Sequence, residues 1–147
     1  MKNYSFYHFE NTEKELAAIA LLENIAVKKG KKVRFMIPQD EQQAWDNVLW
    51  SKKQLSFIPH NIEGENTFKT KVYLTSKPSC ETFVEDAVMT ANPEELEGGG
   101  ATDRFLYLID NAKLQHFKKL FYKLKEAGHI CNYHVFAGGA WSTRDVM

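Results

Sequence analysis

FLYLIDNAKLQHFKKLFYKLKEAGHICNYHVF, residues 105–136, decides the fold. Phe105 to Ile109 is a continuous apolar run, the pattern of a strand buried on both faces. From Asn111 to Glu126, the apolar residues Leu114, Phe117, Leu120, Phe121 and Leu124 fall on one arc of a helix. Gly128 stands just past the end of that helix, where a left-handed residue can stop it. Ile130 to Phe136 reads as the next strand. Strand, helix and strand in succession form a crossover unit, and crossovers of this length join parallel strands.

The same alternation runs upstream. Tyr4 to Phe9 is a strand rich in aromatics. Thr12 and Glu15 form a capping box for a helix that carries Ala18, Leu21, Leu22 and Ile25 and ends at Gly30. Val33 to Ile37 is a short strand. Asp40, with Gln43 in the reciprocal position, is expected to cap a helix bearing Ala44, Trp45, Val48 and Leu49 and ending near Trp50. A loop through Pro59 to Asn66 follows, then a third strand at Val72 to Leu74 and a weaker fourth at Phe83 to Met89. Asn92 to Glu95 reads as a turn or a single helical turn. No convincing helix separates the third and fourth strands, so a locally antiparallel or irregular region is expected there. Gly138 and Gly139 are expected to release a flexible polar tail from about residue 138. The implied architecture is one α/β domain over residues 1–147. It has three layers, with a mainly parallel sheet and helices on both faces: Rossmann-like, without a nucleotide site.

Composition narrows the function. A hydrophobic content of 44% and a charged content of 26% fit an ordinary globular chain, and a net charge of zero gives no bulk attraction to nucleic acid. The charge is unevenly placed. Glu81 to Asp103 holds seven acidic residues and no Lys or Arg, while Arg104 to His129 holds six basic residues and two acidic ones. Two cysteines make no disulfide framework, the start lacks a secretory pattern, and no apolar run reaches membrane-spanning length. A cytoplasmic location with reduced thiols is expected.

Known catalytic patterns are missing from the sequence. There is no G-x-x-x-x-G-K-[ST], and no G-x-G-x-x-G follows the first strand, which passes through Glu10-Asn11-Thr12 into its helix. Gly98-Gly99-Gly100 follows acidic residues that would repel phosphate. His129 and Cys131 could share one strand face, but two ligands fall short of a zinc site, and a buried, hydrogen-bonded His129 is the simpler expectation. The acidic neighbour of Cys80 would raise its pKa. No cofactor, metal or catalytic residue is expected.

Two surfaces remain. Trp50, Phe57, Pro59 and His60 combine large apolar groups with a stiffened loop, which suits either a partner surface or part of the core. On the helix before Gly128, Lys118, Tyr122 and Lys125 lie at i, i+4 and i+7, with Phe121 on their border. Two ammonium groups beside an aromatic could hold an acidic peptide with a bulky apolar end. A plain amphipathic helix with solvated lysines is the alternative.

The helix ending in Leu49-Trp50, the element Ser56-Phe57-Ile58-Pro59-His60 and the following Gly64 resemble the chi subunit family of bacterial DNA polymerase III. Met1-Lys2-Asn3 leading to Phe6-Tyr7, Gly30-Lys31-Lys32-Val33 and Ala127-Gly128 fit as well. The resemblance implies a non-catalytic accessory protein that joins the clamp-loader complex, through the psi subunit, to the single-stranded-DNA-binding protein. It implies that Trp50, Phe57, Pro59 and His60 meet psi or a competing helicase. It further implies that Lys118, Phe121, Tyr122 and Lys125 receive the acidic, Phe-terminated tail of the single-stranded-DNA-binding protein. Lys118 stands where the family has arginine, and Tyr122 where it has lysine. DNA would then be engaged only indirectly, by a monomer that forms a heterodimer with psi. The rival readings are a small nucleotide-dependent enzyme on the same scaffold, which the missing phosphate loops oppose, and a direct binder of single-stranded DNA, which the neutral charge opposes.

Overall fold

The computed structural model describes residues 2–9, 14–51, 60–62, 71–76, 85–96, 102, 104–137, 140–144 and 146–147. In chain order these form β1 (Asn3–Phe9), α1 (Lys14–Leu22) running on into a π-helical turn (Glu23–Lys28), β2 (Val33–Met36) and α2 (Gln39–Ser51). Then come β3 (His60–Ile62), β4 (Val72–Thr75), β5 (Ala87–Thr90) and β6 (Arg104–Ile109). A 3-10 turn (Asn111–Lys113) leads into α3 (Leu114–Glu126), β7 (Ile130–Ala137) and β8 (Ala140–Arg144).

The eight strands make one sheet in the order β3-β4-β2-β5-β6-β1-β7-β8. All neighbours are parallel except the β7–β8 hairpin. Period-two alternation splits each strand between two cores. Tyr7, Phe35, Leu74, Met89, Leu106 and Leu108 pack with Leu22 and Ile25 of the first helical segment and Trp45 of α2 on one face. Phe6, Phe105, Tyr107, Tyr133 and Val135 pack under Phe117, Leu120, Phe121 and Leu124 of α3 on the other. Right-handed crossovers require this split. The chain leaves β1 towards β2 and β3 in one direction and moves from β6 to β7 in the other, so the helices fall on opposite faces. The expected three-layer α/β sheet is the observed one. No helix among the described residues is long and apolar enough to cross a membrane.

Several expectations are corrected in detail. Residues 140–144 are not part of a loose tail: β8 pairs with β7, with Trp141 opposite Phe136. The region between the third and fourth expected strands is not antiparallel, since β4 and β5 both run parallel to β2. The loop after α2 contains β3, whose three residues are too few to show a period in sequence. Asp40 lies inside the first turn of α2 rather than capping it, because the helix begins at Gln39 and the Pro38 carbonyl accepts from the Glu41 amide. Gln43 turns to Asp46 and Asn47 instead. Ala44 is exposed, so the buried stripe of α2 is carried by Trp45 and Leu49, with Val48 packed beside it. Asn92 to Glu95 bends without forming a helix, its Glu94 amide bonded to the Asn92 carbonyl. Gly30 and Gly128 both adopt positive φ, 66° and 91°, as their places after helical segments require. The capping box at Thr12, the loop residues Phe57 and Pro59, and Cys80 lie outside the described residues.

Beyond the reach of α3, the second face of the sheet buries a charge pair. Arg34 of β2 is 0% exposed and points away from the α1–α2 core. Its Nε and Nη2 donate to Glu85 Oε1 at 3.2 and 3.1 Å. Glu85 and Asp86, which weaken the sequence pattern of a strand there, precede β5 and serve the fold in another way. Glu85 pairs with Arg34, and the Asp86 carboxylate accepts from the Lys32 amide at 2.9 Å.

Candidate functional site

The strongly amphipathic α3 anchors itself through Phe117, Leu120, Phe121 and Leu124, all buried. Each contributes roughly 1.5–3 kcal/mol by leaving water. What remains outside are two rims of unlike character.

The first rim lies between α3 and β7. Lys118 and Lys125 are exposed and Tyr122 is half-buried, in line along the helix. Phe121 corrects the sequence expectation: it is 0% exposed and cannot offer an edge to a ligand. Its ring meets Phe6 edge-on at 5.3 Å and Tyr122 at 5.3 Å, and the Lys125 ammonium stands 5.7 Å from its centre. Phe121 is therefore the floor of the rim, and Tyr122 is its surface aromatic. The Tyr122 hydroxyl donates to the Met147 carbonyl at 3.3 Å, and both side chains pack against the α3 core. Cys131 of β7 is half-buried here; burial pushes its thiol up, while the charge of Lys125 pulls the other way. Cys131 and Met147 had no sequence signal as members of this rim, because a β-strand and a distant chain segment bring them to it.

Removing the Tyr122–Met147 bond by Tyr122→Phe should lower stability by about 0.5–1.5 kcal/mol, the net worth of one neutral hydrogen bond. Thermal melting reads this, and an unchanged or higher melting temperature would show that the bond contributes nothing.

The second rim faces the acidic stretch. Lys123 pairs with Glu95 at 2.5 Å, both side chains being exposed. The hydrogen bond from Lys123, then its charge, holds the Glu95 carboxyl below the usual carboxylate range. Lys123 is thus engaged on the far side of the helix from Lys125. Lys119 and His116 stand on this rim as well, so Glu95 answers one of its cations.

On the opposite side of the molecule, Trp50 lies in the last turn of α2 and His60 opens β3, the edge strand. The backbone brings these two positions to the end of the sheet farthest from β7 and β8.

The carboxyl ends of β1 and β6 form the crevice where α/β sheets commonly bind ligands. His8 is buried; Tyr133 donates to its Nδ1 at 2.8 Å, and its Nε2 donates to Asn111 Oδ1 at 2.5 Å. At the ends of β2, β4 and β5, a cavity of about 210 Å3 has Met36, Pro38, Asn92 and Glu94 among its walls. His129 is half-buried rather than buried and accepts at Nδ1 from the Lys2 amide. Among the described residues, no three His, Cys, Asp or Glu gather as metal ligands.

The profile of the family described as "DNA polymerase III chi subunit, HolC" matches residues 1–132. The DNA polymerase III subunit chi of Escherichia coli (strain K12) is 40% identical over 73 residues, 44% of this chain and 49% of that protein. That match spans about half the length of the curated relative. Among solved structures, the C-terminal domain of the DEAD-box protein Dbp5 aligns over 90% of both chains with a TM-score of 0.56 and 10% identity, a likeness of fold alone.

Proposed function

The chain belongs to the DNA polymerase III chi subunit family, and on that premise we propose that it is a non-catalytic adaptor holding two proteins at once. One is the acidic, Phe-terminated tail of the single-stranded-DNA-binding protein, received along Lys118, Tyr122 and Lys125 over the Phe121 floor. The other is the psi subunit, or a helicase competing for its place, received around Trp50, Phe57, Pro59 and His60. The unlike rims of α3 are the observation that carries this reading. Glu95 neutralises Lys123 on one side, while Lys118 and Lys125 flank a part-exposed tyrosine on the other. A peptide with carboxylates before a bulky apolar end would meet Lys118 and Lys125 with its charges and the part-exposed Tyr122 with its apolar end.

The separation of the two surfaces supports simultaneous binding. Lys118, Tyr122 and Lys125 belong to α3 on one face of the sheet, whereas Trp50 and His60 belong to α2 and to β3 at the far sheet edge. Holding both partners raises the local concentration of each for the other without any new contact.

Calorimetry with a synthetic acidic peptide ending in Phe tests the tail site. Lys118→Glu should weaken binding by about tenfold or more, and added salt should weaken the wild type progressively. Lys123→Gln, on the opposite rim, should leave affinity near that of the wild type. Equal affinity of wild type and Lys118→Glu removes the site from this rim.

A further inference from the structure

On the face opposite α3, Arg104 carries a charge that no carboxylate among the described residues answers. Its side chain is half-buried at the start of β6, and its Nη2 donates to the Tyr7 hydroxyl at 2.8 Å. A guanidinium has five N–H donors, so one bond to a neutral phenol leaves most of them unused. Among the described residues, no carboxylate lies within ion-pair distance of Arg104 or of Lys29, which stands across a cleft from it.

The cleft is about 240 Å3 in volume, room for on the order of eight water-sized units at about 30 Å3 each. Phe9, Leu21 and Ile25 make its apolar wall, and Asn24, Lys29 and Arg104 supply its polar groups. The π-helical turn builds one side. The Lys29 amide bonds to the Asn24 carbonyl at 3.2 Å and the Lys31 amide to the Ile25 carbonyl at 3.1 Å, which sets Asn24, Ile25 and Lys29 around the opening. Single π turns within helices are frequently found at functional sites. His134 stacks at 4.9 Å on Tyr7, the phenol that accepts from Arg104. Burial, then the charge of Arg104, holds the His134 ring below its usual pKa.

We propose that this cleft binds a small organic anion, a phosphate or carboxylate head on a compact apolar body. The head would sit between Arg104 and Lys29, where a guanidinium can offer paired donors to either oxyanion. The body would lie on Phe9, Leu21 and Ile25. Neither partner surface of the proposed adaptor includes these residues, so the two readings stand or fall separately.

Amide NMR titration of the full chain with phenyl phosphate, benzoate and phenol tests it. At least one of the two anions should shift Asn24, Ile25 and Lys29 saturably below about 10 mM, with phenol about tenfold weaker or more. Tighter binding of phenyl phosphate would identify phosphate-bearing ligands, and tighter binding of benzoate carboxylates. Arg104→Gln should weaken the anion by about tenfold. Lys29→Glu, at an exposed position, should weaken it as well, while Lys123→Gln on the α3 face should not. Absence of saturable shifts with both anions, equal binding of phenol, or unchanged affinity in both cleft variants overturns the site.

Discussion

Arg34→Ala should cost the fold about 3–5 kcal/mol. Arg34 is 0% exposed, and Glu85 beside it is 3% exposed. Their bonds of 3.1 and 3.2 Å, together with Arg34 Nη1 at 2.7 Å from the Met36 sulfur, fill a part of the second face where no described helix lies. Truncation removes one of the largest fully buried side chains and takes its cation from a buried carboxylate. At about 2–4 °C per kcal/mol for a chain of this size, the melting temperature should fall by roughly 10 °C. The double change Arg34→Met with Glu85→Leu should be milder than Arg34→Ala, because an apolar pair of similar bulk leaves no charge stranded. A melting temperature for Arg34→Ala within about 2 °C of the wild type would mean that the pair contributes little.

Trp50→Ala should abolish binding of the psi partner, a loss of about 2 kcal/mol or more, and cost the isolated fold comparatively little. Large aromatics at interface centres carry such energies because their pockets are fully desolvated. Trp50 is the next-to-last residue of α2, and the edge strand β3 begins at His60. A core role predicts the reverse: destabilisation by about 3–5 kcal/mol with partner binding kept in the folded fraction. Melting and calorimetry on the same variant separate the two.

Much of this fold was legible because its signals are local. The arc of α3, the continuous apolar run of β6 and the glycines at 30 and 128 each follow from spacing or backbone freedom, and the structure holds them within a residue or two. What was illegible depends on distant residues. β3 has three residues and draws its stability from pairing with β4, not from its own pattern. β8 follows two glycines and is polar in part, so only its ladder with β7 identifies it. Arg34 in an apolar strand makes sense only once Glu85, 51 positions on, lies beside it.

The rim proposed for the tail was legible in part for the same reason. Helical periodicity placed Lys118, Tyr122 and Lys125 in one line, but it could not tell that Phe121 turns fully inward. Nor could it tell that Lys123 is answered by Glu95 while Cys131 and Met147 complete the other side. The surplus of acid in residues 81–103 looked like a possible second face. In the structure Glu85, Asp86 and Glu95 of that stretch are spent on contacts within the chain.

Simultaneous occupancy tests the adaptor most directly. The purified chain is saturated with psi and then titrated calorimetrically with the acidic, Phe-terminated peptide. Two separate surfaces predict the same peptide affinity, within about twofold, with and without psi, and a ternary complex in sedimentation. Displacement of psi by the peptide, or loss of peptide binding in the psi complex, would contradict the account.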